Sequence, residues 1–267
     1  MSIKIIIAGP RGRMGSKAIK MINEEESFEL VACIDRKNNG KQSKEITMLP
    51  NLNVPIFDDA NECFKTVDAD VFIDLTIPDA GFNHTRIALD NQIRTVVGTS
   101  GFSTEQVNEL SNLASLQNTG CIIAPNFAVG AILMMQFAKL AASYFPDVEI
   151  IEKHHDKKLD APSGSAVKTA ELIMDSRKYK KQGHPEEKET MSGARGSDID
   201  GMKIHSVRLP GLVAHQEVIF GGPGQSLTIK HDSYNRDSFM DGIKLAVKEV
   251  MNMNELVYGL ENIVTIN

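Results

Sequence analysis

The first half of the chain alternates between short apolar runs and segments with helical spacing. Continuous apolar runs, typical of strands buried on both faces of a parallel sheet, occur at residues 3–9, 29–35, 69–76, 94–100 and 121–126. The segments between them place apolar residues on one side of a helix and predict helices over 14–26, 80–91 and 103–118. This alternation predicts an α/β fold with a Rossmann-type, doubly wound parallel sheet.

The second half has a different pattern. A long apolar helix is expected over 130–145, with its methionine pair in the core, and a strand with branched residues follows it. Residues 203–209, 213–220 and 225–231 alternate like antiparallel strands separated by turns rich in glycine and proline. Further helices are expected over 236–252 and 255–259. The pattern predicts a second, α+β domain with an open mixed sheet.

These patterns predict two domains. We expect a dinucleotide-binding domain over 1–127, completed by 235–267, and a substrate-binding and oligomerisation domain over 128–234. The polar, glycine-bearing stretch 176–201 has no clear period, so it is either a long surface loop or an arm that contacts another subunit.

Composition narrows the classes of function. The 267 residues are 42% hydrophobic and 24% charged, as in ordinary globular proteins, and the net charge of −6 argues against a general nucleic-acid binder. Apolar runs stay well below the ~18 residues that a membrane span needs, and the N-terminal segment lacks a signal-peptide pattern. The three cysteines have no metal-type spacing and are expected as buried free thiols in a reducing compartment. We therefore expect a cytoplasmic protein without a membrane or nucleic-acid partner and without a metal.

The turn after the first strand carries a glycine motif. Gly9, Gly12 and Gly15 permit a tight turn, a close approach to a pyrophosphate and close helix–sheet packing. Asp35 follows at the end of the second strand, where it can accept hydrogen bonds from an adenine ribose. Arg36 beside it can accommodate the 2′-phosphate of NADP, so the pair predicts use of both cofactors. A tight turn without a ligand, and an exposed arginine without a role, remain the alternatives.

Two other strand ends point to the same edge of the sheet, where ligands of such folds bind. One carries small residues and the other a turn rich in backbone groups, which suits contact with a nicotinamide ribose: Gly98, Thr99 and Ser100, and Ala124, Pro125, Asn126 and Phe127. Each taken alone is simply a loop.

The stretch IEKHHDKKLDAPSGSA concentrates titratable and anion-binding groups. Ser163 precedes an amphipathic segment and is a good N-cap candidate, so Gly164 and Ser165 would present N–H groups at a helix start. Two adjacent histidines can supply a proton near neutral pH. A pair of surface histidines beside a solubilising lysine turn is an equally good interpretation of these residues alone. A metal site is weaker, because adjacent strand residues point to opposite faces and no third ligand is suitably spaced.

Several segments occur together in one order and resemble the 4-hydroxy-tetrahydrodipicolinate reductase (dihydrodipicolinate reductase) family over essentially the whole chain. They are GPRGRMG, ADVFIDLT, VVGTSGF, IIAPNFAVGA, EKHHDKKLDAPSGSA and HSVRLPGLVAHQEVIF. The histidine–lysine–DAPSG motif is specific to that family, whereas the glycine turn is not. The resemblance implies an NADH- or NADPH-dependent reductase of bacterial lysine and diaminopimelate synthesis, usually a homotetramer assembled through the sheets of the second domain.

The resemblance also implies roles for individual residues. His154 would be the general acid/base, Lys158 a second proton donor and the cation beside a substrate carboxylate, and His155 a substrate contact. Gly164 and Ser165 would bind that carboxylate. The cofactor would contact Asp35, Arg36, residues 98–100 and 124–127, and the turn formed by Gly9, Pro10, Arg11, Gly12, Arg13 and Met14. Ser165 stands where the motif usually has threonine and keeps the hydroxyl, while Pro10 removes one N–H from the turn.

The implied chemistry is reduction of a dicarboxylate with a ring imine. Hydride would reach ring C4 of the dehydrated substrate and leave an enamine-like species that needs a proton at carbon, which His154 would help to deliver; such help is typically worth ~10²–10⁴ in rate. Domain closure about hinges near Phe127 and Asn235 is expected. Whether the hydroxylated or the dehydrated ring is reduced stays open. The competing hypotheses are another amino-acid dehydrogenase on the same nucleotide domain and a non-enzymatic nicotinamide-sensing regulator. The regulator predicts a DNA-binding helix pair or a basic extension, and the sequence shows neither.

Overall fold

The computed structural model describes residues 2–43 and 53–264. Its contacts divide these residues into two compact units. One takes in the chain through Phe127 and again from Phe239, and the other runs from Ala128 through Ser238. The second crossing lies a little beyond Asn235, because the hydroxyls of Ser233 and Ser238 both donate to the Asn235 carbonyl and keep this turn with the second unit.

Strands and helices mostly alternate in the first half of the described chain, whereas four strands follow one another in its second half. The strands are β1 (Ile3–Ala8), β2 (Phe28–Ile34), β3 (Ile56–Phe57), β4 (Val71–Asp74), β5 (Arg94–Val97), β6 (Cys121–Ile123), β7 (Asp147–His154), β8 (Ser197–Ile199), β9 (Met202–Arg208), β10 (Ala214–Gly222), β11 (Gln225–Ser233) and β12 (Leu256–Tyr258). The helices are α1 (Gly15–Glu24), α2 (Ala60–Thr66), α3 (Pro78–Asp90), α4 (Thr104–Gln117), α5 (Val129–Ala142), α6 (Gly164–Met174) and α7 (Met240–Val250), with 3-10 helices at Arg236–Phe239 and Leu260–Asn262.

The first unit contains a seven-stranded sheet in the order β12-β6-β5-β4-β1-β2-β3, in which the described strand pairs are parallel. Its strands are apolar on both faces; Ile5, Ile6 and Ile7 are fully buried. The register aligns Ala8 of β1 with Asp74 of β4, and Asp74 with Val97 of β5. The carboxyl ends of β1, β4 and β5 therefore meet at one edge, as a doubly wound sheet requires.

The second unit contains a five-stranded sheet in the order β11-β10-β7-β9-β8. Helices α5 and α6 pack with one face of this sheet in a shared apolar core. Met134 and Met135 are each 3% exposed in that core, which confirms the expected role of the methionine pair. Both predicted sheets, one parallel and one mixed, are thus present.

Three expectations about elements need correction. Residues 255–259 are not helical: Leu256–Tyr258 forms β12, which pairs with β6, because a far neighbour in sequence supplies its hydrogen bonds. Residues 203–209 were expected to pair like an antiparallel strand, but β9 runs antiparallel to β8 and parallel to β7, which makes the sheet mixed, as predicted. The short elements β3 and α2 were not predicted, since β3 has two residues and no readable period.

The polar stretch 176–201 is tied to the second unit at both ends. Arg177 is buried and donates to the carbonyls of Pro146 and Asp200. Arg195 donates to Glu149 on β7. Residues 183–192 between these anchors are mostly exposed, and the stretch ends in β8, so it is largely a surface loop with one short strand.

Two further expectations concern the chain as a whole. Cys33, Cys63 and Cys121 are buried free thiols, as predicted. In the part of the chain that the structure describes, the helices are too short or too polar to cross a lipid bilayer.

Candidate active site

The turn between β1 and α1 is built around glycines that pack closely against neighbouring backbone. Gly9 has φ +80°, and a Cβ there would lie 2.7 Å from the Leu75 carbonyl oxygen. A Cβ on Gly15 would lie 2.0 Å from the Gly9 oxygen, so α1 can begin this close to the turn only on glycine. Arg11, Gly12 and Arg13 are exposed, whereas Pro10 is buried. The turn therefore fits a dinucleotide pyrophosphate over its exposed residues.

Asp35, at the end of β2, is not a free carboxylate. It is 7% exposed and accepts two hydrogen bonds from Arg11, the one from Nη2 at 2.8 Å, and a third from the Asn38 amide. The hydrogen bond from Arg11 is the main cause that holds the pKa of Asp35 below its usual range. Arg36 is exposed. A ribose at this end of the sheet would thus contact a carboxylate that is already ion-paired with Arg11. The sequence did not reveal this partner.

The turns after β5 and β6 lie at the same edge of the sheet. The Gly98 N–H donates to the Asp74 carbonyl at 2.9 Å, and the Ala124 N–H donates to the Val97 carbonyl at 2.9 Å. A Cβ on Gly98 would lie 2.9 Å from the ring of Phe127, which is 3% exposed.

The side chains at this edge are divided between the core and the surface. Ser100 and Pro125 are exposed, whereas Thr99, Ala124 and Phe127 are buried and support the turns from inside. The structure thus brings the predicted cofactor residues that follow four parallel strands, β1, β2, β5 and β6, to one edge of the sheet, although some of them contribute packing rather than an exposed surface.

A buried glutamate organises the second group of candidate residues. Glu152 on β7 is fully buried, and its Oε2 lies 2.6 Å from His154 Nδ1. Arg208 donates to both carboxylate oxygens, at 2.8 and 2.7 Å, and the Ser163 N–H donates to Oε1 at 3.2 Å. Neither Glu152 nor Arg208 was predicted. The available signal was the spacing of residues 152 and 154, which places both on one face of the strand.

This arrangement decides how His154 can act. A carboxylate on Nδ1 holds the hydrogen there, so Nε2 is the ring atom that faces away from Glu152. Burial raises the pKa of Glu152, but hydrogen bonds from Arg208, Ser206 and His154 outweigh burial and lower it. Burial is also the main cause that lowers the pKa of His154, which Glu152 only partly offsets. The imidazole is therefore oriented by a charged partner, and its burial favours the neutral ring.

The start of α6 lies next to this cluster in the chain. Ser163 accepts a hydrogen bond from the Ala166 N–H, which confirms it as the N-cap. Gly164 is exposed, and a Cβ built on it would touch nothing within 4 Å. Lys158 Nζ is bound to both oxygens of Asp160, at 2.7 and 2.8 Å. The helix start is thus open to an anion, and Lys158 has an exchangeable surface partner.

The structure says less about the other two candidate substrate residues, His155 and Ser165. His155 follows the end of β7 and is exposed, and Ser165 is half-buried with its hydroxyl 3.3 Å from that of Ser163. In residues 2–43 and 53–264, His, Cys, Asp and Glu side chains form no group of three or more that could hold a metal ion.

A Rossmann-type sheet with a glycine turn, together with a mixed-sheet unit that carries an oriented histidine, defines a two-domain oxidoreductase that uses a nicotinamide dinucleotide. Comparison with known proteins gives the particular family. The family descriptions "Dihydrodipicolinate reductase, N-terminus" and "Dihydrodipicolinate reductase, C-terminus" match residues 3–127 and 130–264. The chain belongs to the dihydrodipicolinate reductase family, whose N-terminal domain binds NAD(P).

Individual relatives agree with this family. The 4-hydroxy-tetrahydrodipicolinate reductase of Oceanobacillus iheyensis is 63% identical over 264 residues, which cover 98% of this chain and 100% of that protein. The enzyme of the same name from Geobacillus kaustophilus is 60% identical, over 98% of this chain and 99% of the relative. The solved structure of a dipicolinate-bound dihydrodipicolinate reductase from Paenisporosarcina sp. TG-14 is 54% identical and superposes with a TM-score of 0.91, covering 99% of this chain and 100% of that one.

Proposed function

We propose that this protein catalyses the NADH- or NADPH-dependent reduction of 4-hydroxy-tetrahydrodipicolinate to tetrahydrodipicolinate in lysine and diaminopimelate biosynthesis. The observation that carries the proposal is the Glu152–His154 pair, which lies in the segment with Lys158 and the open start of α6. This segment holds the groups that reduction of a cyclic dicarboxylate needs: a proton donor, a cation and free N–H groups.

Different residues of the second unit would bind the substrate carboxylate, offset its charge and deliver the proton. Gly164 and Ser165 would bind a carboxylate through the N–H groups at the start of α6, and Lys158 would leave Asp160 to offset the carboxylate charge. His154 would deliver a proton from Nε2 to the ring while Glu152 holds Nδ1. His155, which is exposed, would contact the substrate. A bound nicotinamide supplies the hydride.

The first unit would hold the cofactor at its carboxyl edge. The exposed part of the glycine turn would bind the pyrophosphate, and the turns at 98–100 and 124–127 would hold the nicotinamide end. Asp35 would accept from the adenine ribose, while Arg11 and Arg36 would offset the charge of a 2′-phosphate. This pairing of opposite charges supports use of both NADH and NADPH.

Three further proposals follow the family. We propose a homotetramer assembled through the five-stranded sheet, whose face opposite the core carries Ile151 and Ile219 beside the charged Glu149 and Glu217. Light scattering after gel filtration would measure its mass. Three buried free thiols support a cytoplasmic location. Closure of the units about the crossings near Phe127 and Asn235 also remains a proposal.

A coupled assay tests the function. Pyruvate, aspartate semialdehyde and dihydrodipicolinate synthase are mixed with the protein, and loss of NADH or NADPH absorbance is followed. Synthase-dependent oxidation is expected, and His154→Gln and Lys158→Ala should each lower it by roughly 100-fold or more. Lys157→Ala, at an exposed neighbour, is the matched control. Oxidation that proceeds with aspartate semialdehyde alone would favour another amino-acid dehydrogenase instead.

A further inference from the structure

Asp74 is a buried carboxylate that the proposed reaction does not use. It ends β4 at the carboxyl edge of the parallel sheet and is fully buried. Its Oδ1 accepts from the Thr76 N–H at 3.0 Å, the Thr76 hydroxyl at 2.7 Å and the Thr99 hydroxyl at 2.7 Å. Its Oδ2 lies 2.9 Å from His84 Nδ1 on α3. Because a carboxylate only accepts, His84 must carry its hydrogen on Nδ1 here.

These bonds join two turns at the ligand edge of the sheet. Thr76 lies in the turn after β4, and Thr99 lies in the turn after β5 that is expected to contact the cofactor. The Thr99 hydroxyl is directed into the protein, toward Asp74, so the residue is 4% exposed while Ser100 beside it is exposed. Asp74 thereby fixes which atoms of this turn face outward.

The packing around the carboxylate leaves little freedom. A Cβ on Gly81 of α3 would lie 2.9 Å from Asp74 Oδ1 and 3.1 Å from Thr99 Cβ. Both distances are shorter than ordinary van der Waals contact, so the Asp74–Thr99 pair lies directly against the helix backbone. Any displacement of the carboxylate would therefore move the turn that contains Thr99.

The order of strands indicates which part of a dinucleotide this edge serves. Strand β1 lies between β2 and β4, and β5 follows β4. In such sheets the pyrophosphate lies at the turn after the first strand and the adenine ribose at the end of the second, which leaves the nicotinamide half to the other side. We infer that Asp74 is a positioning residue for the nicotinamide half of the cofactor site, acting through Thr76 and Thr99, with His84 holding its carboxylate. This inference rests on the proposed cofactor.

Two substitutions at Asp74 separate its shape from its hydrogen bonds. Asp74→Ala leaves the Thr76 and Thr99 donors without their acceptor. Asp74→Asn keeps an oxygen for both threonines and places an amide N–H opposite His84, which the imidazole can accept by moving its hydrogen to Nε2. Gly81→Ala crowds the Asp74–Thr99 pair without removing any donor. Asp70→Ala is the matched control, since Asp70 accepts from the Lys4 N–H just before the start of β4, at the opposite end.

The experiment is calorimetric titration of each variant with NADH and, separately, with ADP, which lacks the nicotinamide half. Asp74→Ala should weaken the binding of NADH by about 10- to 30-fold, the equivalent of one to two lost hydrogen bonds. The affinity for ADP should change by less than about twofold. Gly81→Ala should show the same selectivity. Asp74→Asn should recover most of the NADH affinity, and Asp70→Ala should leave both ligands unchanged.

The outcomes distinguish the inference from the proposed function. Equal weakening of NADH and ADP, or unchanged NADH affinity in both Asp74→Ala and Gly81→Ala, would overturn the positioning role. If Asp74→Ala does not fold, as thermal melting would show, Gly81→Ala carries the same two tests alone. A wild-type protein that bound ADP but neither NADH nor NADPH would refute the proposed function itself.

Discussion

Substitution of Glu152 by glutamine perturbs the proposed acid with the smallest change of shape. The glutamine oxygen would keep the donors at the Oε1 position, Arg208 Nη2 and the Ser163 N–H, which places the amide N–H₂ at the Oε2 position, opposite His154 Nδ1 and Arg208 Nη1. Neutral imidazole can accept that N–H, but a protonated ring would set two donors against each other. The variant should therefore keep the shape of the site but lose one Arg208 hydrogen bond and the protonated form of His154.

The magnitude follows from the hydrogen bond that is lost. The 2.6 Å contact between Glu152 and His154 is charge-assisted, and bonds of this kind contribute about 1.5–3 kcal/mol. If that stabilisation acts on the protonated ring in the rate-limiting step, kcat falls by roughly 10- to 150-fold. His154→Gln should lower kcat much less in the Glu152→Gln variant than in the wild type, because both changes remove the same proton donor.

The assay is the synthase-coupled oxidation of NADPH, with folding checked by thermal melting. Loss of the carboxylate charge leaves the half-buried Arg208 guanidinium without its ionised partner, which should lower stability, although its bonds to the Val207 and Asp160 carbonyls remain. Glu149→Gln is the matched control. Glu149 lies on the same strand, on the opposite face, and is likewise bound by an arginine and a histidine, Arg195 and His205. The Glu149→Gln variant should lose stability but keep its kcat.

Two results would refute this reasoning. A folded Glu152→Gln variant with kcat within about twofold of wild type would show that the carboxylate does not support the acid. Fully additive effects of Glu152→Gln and His154→Gln would show that the two residues act separately. The pH dependence of stability gives an independent check: the depressed pKa of Glu152 implies stability that is present above its unfolded pKa of ~4.3 and lost as pH falls through the folded pKa. Acid unfolding of the variant should lack this component.

Three other predictions follow from the structure. Arg11→Ala should leave the Asp35 carboxylate unneutralised and so weaken NADPH relative to NADH by about tenfold, as the ratio of KM values would show; an unchanged ratio would contradict it. Asp160→Asn should free Lys158 and lower the substrate KM by up to about fivefold, the size expected for an exposed ion pair, and a raised KM would count against Lys158 as the carboxylate partner. Burial raises the pKa of each of the three thiols to about 12, so an aromatic disulfide reagent should react with none of them in the folded protein and with all 3 in denaturant.

Local patterns accounted for most of the secondary structure and for the identity of the site segments. The apolar runs of β1 and β2 and the spacing in α5 are readable because burial on both faces, or on one, is recorded in consecutive residues. Ser163 was predictable as a cap because a cap acts on residues two or three positions away. The histidine–lysine–DAPSG motif indicated the family because its members stand close together in the chain.

Contacts between distant residues could be decided only by the tertiary structure. Residues 256–258 became a strand because β6, more than 130 residues earlier, offered an edge. Glu152 acquired its role from Arg208, 56 positions away, and Asp74 from Thr99, 25 positions away. Periodicity and propensity describe neighbours along the chain, whereas a buried charge is stable only beside partners that folding brings to it. The sequence by itself therefore determined most of the elements and the proposed chemical groups, and the fold decided the remaining strands and which carboxylate orients which donor.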